Sequence, residues 1–214
     1  MKKIKVQLIM PEGPPGKKDT RRVEFFSSAI VQKEEDNVYS IVEKFRREVF
    51  PGITDEDMRE EVVRDKVLLS QVITLHNAAE IRSRSVSVSG MRKKIESGEH
   101  VLMSDGLPNV KIAKTRTDEL VCLDGHHSLL AYMMSEIKYL HEVPHLMVTD
   151  HSGGGLKEEK FHAFFGEHAK KLTGSDWRNY TISWTNPPER QLEDRKQDNM
   201  GELLSELLED DSGG

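Results

Sequence analysis

LVCLDGHHSLLAYM, residues 120–133, changes character in mid-course. Leu120 to Leu123 is a short apolar run of strand length, and beyond it apolar residues return at helical spacing through Leu130, Met133, Met134, Ile137 and Leu140. Asp124 and Gly125 stand between the two, a pair suited to a sharp reversal. A strand that turns through glycine into a helix is a natural anion site. The glycine allows close approach, and the first helical amides lack intrahelical acceptors and lie at the positive end of the dipole. His126, His127 and Ser128 project from that first turn as donors to phosphate oxygens, and Asp124 is placed for a metal ion or a substrate hydroxyl. The same residues also have a purely structural reading: Asp124 caps the helix, Gly125 turns the chain, and the histidines pack or face water.

The neighbouring sequence extends the pattern in both directions. NVKIA (109–113) and ELVCL (119–123) read as strands joined by the turn KTRTD, and VPHLMVTD (143–150) reads as another strand. SVSGMRKKIESGE (87–99) predicts a short helix with Val88, Met91 and Ile95 inward and Gly98 as its stop. VLLSQVITLH (67–76) looks strand-like. Nearer the start, Ile4, Val6, Leu8 and Met10 alternate with polar residues, a second such run covers 23–31, and PEGPPGKKDT between them predicts an exposed hairpin connection. A helix is expected from Asp36 or Asn37 to Pro51, with Val38, Ile41, Val42, Phe45 and Val49 on one face. A second is expected from Thr54 through Met58, Val62 and Val63. Strands alternating with helices predict an α/β (α+β) fold with a small mixed sheet and packed helices. The expected organisation is an N-terminal strand and helix subdomain (1–65), the domain carrying the quoted stretch (66–150), and a C-terminal extension (151–214). That extension contains a flexible junction at HSGGGLKEEK, a helix at 161–172, a strand with Tyr180, Ile182 and Trp184 on one side, and an amphipathic helix with Leu203, Leu204, Leu207 and Leu208.

Composition narrows the function classes. The chain has 214 residues and one cysteine, Cys122, so an internal disulfide and a CxxC zinc or redox pair are both excluded. No run approaches the length of a membrane span, and the basic start lacks the pattern of a secretory signal, which predicts a cytoplasmic protein without membrane contact. Net charge is −6, and residues 189–214 hold nine acidic against three basic side chains, so the body is balanced and nucleic acid is not its expected partner. Five histidines, at 126, 127, 141, 145 and 151, lie close in sequence, but Pro144 breaks helical pairing of His141 with His145, and a dedicated zinc site is not expected.

DGHHSLLAY resembles the DGHHR box at the strand-to-helix junction of the ParB/sulfiredoxin superfamily. Arg82 and Arg84, the helix ending IESGE, the strands NVKIA and ELVCL, and VPHLMV after the box helix follow the same order over about residues 66–148. The resemblance implies a small α/β domain that binds a nucleotide (ATP, ADP or CTP), with magnesium, its phosphates lying at the box helix. Gly125, His126, His127, Ser128, Arg82, Arg84 and Arg92 are then the phosphate contacts, Asp124 the residue for metal or substrate hydroxyl, and His127 the stabiliser of phosphate charge. Glu80, just before the arginine pair, is a candidate base. The sequence departs from the family at Ser128, where the box continues with arginine, and at His126, where sulfiredoxins carry their catalytic cysteine.

The function this resemblance implies is phosphoryl transfer to a small hydroxyl compound, as in the free serine kinases of that superfamily, or nucleotide hydrolysis. The competing reading is a non-enzymatic adaptor for DNA or protein, with nucleotide as a switch and the acidic leucine helix recruiting a protein partner. A ParB-like nuclease is third, since it needs DNA and metal contacts that a neutral body favours little.

Overall fold

The computed structural model describes residues 2–16, 22–32, 42–74, 85–157 and 159–161. Among the described residues six strands form one mixed sheet: β1 (Lys2–Pro11), β2 (Arg22–Gln32), β3 (Arg59–Val62), β4 (Val110–Lys114), β5 (Leu120–Asp124) and β6 (His145–Asp150). Their order across the sheet is β3-β2-β1-β6-β4-β5. β1 and β2 form the expected antiparallel hairpin, β1 runs antiparallel to β6, and β4 lies parallel to β6 and antiparallel to β5. The fold is α+β, as the alternation of elements predicts. The sheet crosses the expected boundary at residue 65 without a break, because Ile4 to Ile9 of β1 pair with His145 to Asp150 of β6.

Side-chain alternation sorts the core into two layers. Helices α1 (Ser85–Glu96) and α2 (His126–Met134) cover one face, where Val88, Ile95, Leu129, Leu130 and Tyr132 meet Val110, Ile112 and Cys122 of the sheet. Against the other face, Val42, Phe45, Phe50, Leu156 and Phe161 pack on Ile4, Val6, Leu8, Ala113, Val121, Leu146 and Val148. β4, β5 and β6 therefore bury residues on both sides, with continuous apolar runs in β5 and β6 and Lys111 as a buried charge in β4.

Several local expectations change. Thr54 and Asp57 close a capping box around a single 3₁₀ turn, and Arg59–Val62 then pairs with β2 as a short, charged edge strand instead of continuing a helix. Residues 67–74 contain a 3₁₀ turn, Leu69–Gln71, and two isolated bridges rather than a strand. Residues 42–44 are helical and lead into a π-helical turn (Phe45–Val49) and a 3₁₀ turn (Phe50–Gly52), with Val42 and Phe45 buried as their spacing predicts. The glycine-rich junction is a tight turn: the Asp150 carboxylate accepts from the amides of Ser152 and Gly154, and the Leu156 amide donates to the Lys114 carbonyl at the end of β4. The helix start at residues 36–37, the later part of the helix at 161–172, the aromatic strand and the leucine stripe lie outside the described residues. Among the described residues no helix is long and apolar enough to cross a membrane.

Candidate functional site

The strand-to-helix junction forms as the sequence predicts, with some of its residues in different roles. β5 ends at Asp124, Gly125 takes a left-handed conformation (φ 87°), and α2 begins at His126. A β-carbon at residue 125 would lie 2.6 Å from the Val110 Cα and 2.9 Å from the Asn109 carbonyl oxygen. The glycine is thus required twice, by its backbone angle and by the proximity of β4. Its amide donates to Asp124 Oδ1 at 2.8 Å, so the amides of the first turn beyond it are those of residues 126–128.

A bulge between β4 and β5 aims Asp124. Ile112 pairs with Cys122 but Lys111 pairs with Asp124, which leaves Leu123 as an extra residue on β5 and shifts the side-chain alternation there. Asp124 Oδ2 consequently accepts from Lys111 Nζ at 2.7 Å. Lys111 is only 2% exposed, while the Asp124 side chain is 39% exposed. On its other side the Lys111 ammonium lies 2.8 Å from Glu43 Oε1. Glu43 also faces Arg46 at 3.3 Å, and Arg46 pairs in turn with Asp105. Burial raises the Glu43 pKa, but the hydrogen bond and charge of Lys111, followed by those of Arg46, outweigh it and hold the carboxyl below its ordinary value. A chain of alternating charges therefore connects the mouth of the junction to the helical turn at 42–49.

His126 and Ser128 turn inward. The His126 ring bonds Thr74 Oγ1 through Nδ1 at 2.6 Å, and both residues are buried. The Ser128 hydroxyl accepts from Asn109 Nδ2 at 3.0 Å and faces Met91 Sδ of α1 at 3.6 Å. The donation to phosphate expected of these two side chains gives way to internal bonds, because the first turn of α2 is packed against α1 and β4. His127 is half-buried on the same turn. Arg92, on α1, forms an ion pair with Glu96 at 2.7 Å on its own helix. Glu80, Arg82 and Arg84 lie outside the described residues.

Sequence reasoning missed Lys111 and Glu43. A signal was present: Lys111 shares a strand face with the buried Ala113, and Glu43 adjoins the buried Val42. A charged residue in an inward register implies a counter-ion nearby. Cys122 is buried with its thiol donating to the Asp124 carbonyl, and desolvation pushes its pKa well up, so it is not a nucleophile.

No protein family, curated protein or solved structure matches this chain.

Proposed function

We propose that the chain is a nucleotide-binding protein of the ParB/sulfiredoxin kind, with the phosphates at the start of α2, acting in phosphoryl transfer to a small hydroxyl compound or in nucleotide hydrolysis. The observation that carries this reading is the junction itself: a left-handed glycine, a helix start, and one partly exposed carboxylate held there by a buried lysine. The amides of residues 126–128 and the dipole of α2 favour anionic oxygens at that turn. Asp124 accepts the proton of the acceptor hydroxyl, and His127 donates toward developing phosphate charge. Lys111 offsets part of the repulsion between Asp124 and the phosphates.

Among the described residues Asp124 has no preformed metal shell around it. One carboxylate oxygen is bonded to an ammonium and the other to an amide, and among the described residues no cluster of three or more His, Cys, Asp or Glu could complete a shell. In this reading magnesium arrives on the nucleotide. A lone, buried cysteine is consistent with a reducing, cytoplasmic setting.

The test is a thermal-shift screen of ATP, ADP and CTP with and without magnesium, followed by nucleotide turnover with and without small hydroxyl compounds. The reading predicts a saturable rise in melting temperature with at least one nucleotide, and consumption that depends on the acceptor or on water. Salt-sensitive DNA binding without turnover would instead support the adaptor.

A further inference from the structure

We infer that Lys111 and Glu43 are positioning residues for Asp124: the buried ammonium, fixed by Glu43 from the 42–49 turn, sets the direction of the carboxylate at the start of α2. This rests on the nucleotide reading only for what Asp124 then does. Three observations carry it. Lys111 is almost fully buried between the buried apolar residues Val110, Ile112 and Ala113 of its strand, where an unpaired ammonium is strongly disfavoured. Its two carboxylate partners are distant in sequence: Glu43 lies in the N-terminal third and Asp124 at the junction. The bulge at Leu123 gives Asp124 the register that meets Lys111, so backbone and side chains agree on a single carboxylate orientation.

Asp124 Oδ1 accepts the Gly125 amide while Oδ2 accepts Lys111. Release of Oδ2 lets the carboxylate rotate, and the Gly125 amide loses its acceptor. Lys111 thus acts on the junction through Asp124 without touching a ligand. Glu43 acts at one further remove, which makes the 42–49 turn part of the support of the junction.

A positioning role and a merely stabilising one separate in a double variant. Lys111→Met leaves the part-buried Glu43 beside an apolar side chain, with Arg46 and Arg47 as its remaining ion-pair partners, and lowers stability. Glu43→Gln combined with Lys111→Met removes both charges and restores much of that stability. We expect the Gly125 amide to exchange about tenfold faster in the single variant, relative to the amides of Leu130 and Ala131. In the double variant the melting temperature recovers but the faster Gly125 exchange persists, and affinity for whichever of ATP, ADP or CTP binds the wild type stays about tenfold weaker. Gly125 exchange that returns to wild type together with stability overturns the inference, as does a double variant that does not fold. Should Lys111→Met alone not fold, the double variant carries the comparison. If the wild type binds none of the three nucleotides, the functional reading fails while the exchange comparison still decides the role of Lys111.

Discussion

At the residue scale, Gly125 and His145 show how one side chain decides a property of the whole. Gly125→Ala places a methyl against the Val110 backbone and forces a left-handed angle on alanine, two costs that local rotamer changes do not relieve. We expect a loss of about 2–4 kcal/mol in urea unfolding; a loss under about 0.5 kcal/mol would mean that β4 is not packed against this turn. His145 is buried with Nδ1 on the Val143 carbonyl at 2.7 Å, and desolvation lowers its pKa to about 4 despite that bond, with His141 adding to the fall. Its folded pKa lies below the unfolded value, so its contribution is complete above about pH 6.5 and is lost as pH falls toward 4, because the unfolded chain takes up the proton first. His100, lowered chiefly by burial, adds in the same sense. The His145 contribution amounts to roughly 3 kcal/mol by pH 4. Denaturant unfolding from pH 7 to 4 checks it: His145→Gln should flatten the slope over this range, and an unchanged slope contradicts the assignment. These features differ in how far the sequence reveals them. The turn at Gly125 follows from Asp-Gly between a strand and a helix, whereas the burial of His145 depends on β1 and β4 lying on either side of β6, which no local pattern encodes.

At the element scale, α1 and α2 end by the same device. In α1 the Gly98 amide donates to the Ile95 carbonyl and the Glu99 amide to the Lys94 carbonyl, with Gly98 left-handed. In α2 the Glu136 amide donates to Met133 and the Ile137 amide to Tyr132, with Glu136 left-handed at φ 62°. Both are Schellman caps. The first was legible because glycine occupies its turning position. The second was not, and apolar spacing carried the expected helix on to Leu140, although Ile137 and Leu140 are buried as neighbours of the helix rather than as part of it. Glu136→Gly relieves the strained position, and we expect it to raise stability by about 0.5–1 kcal/mol in thermal or urea unfolding. A decrease would show that the Glu136 side chain contributes more than its backbone angle costs. The edge strand β3 was hidden for a related reason: acidic residues after Thr54 suit a helix start, but the capping box closes after one turn and the chain joins the open edge of β2.

At the scale of the whole molecule, the sheet and the charge chain both cross the division between residues 1–65 and the rest. β1 covers the edge of β6, and Val42, Phe45 and Phe50 shield the face of the central strands opposite the helices. A chain beginning at residue 66 loses these contacts and bares an apolar strand edge. It is expected to be aggregated or without a cooperative unfolding transition; a cooperatively folded fragment would contradict the single-sheet account. This continuity was not legible because strand alternation specifies which residues face inward but not which strand lies alongside. For the same reason the inward positions of Lys111 and Glu43 carried a signal, but their pairing with each other did not.

The central claim is that an anionic ligand binds where β5 turns into α2. Titration of the ¹⁵N-labelled protein with ATP, ADP and CTP, each with magnesium, tests it most directly. The account predicts saturable amide shifts centred on His126, His127 and Ser128 with at least one nucleotide. An absence of saturable shifts with all three, or shifts confined to residues away from that turn, would contradict it.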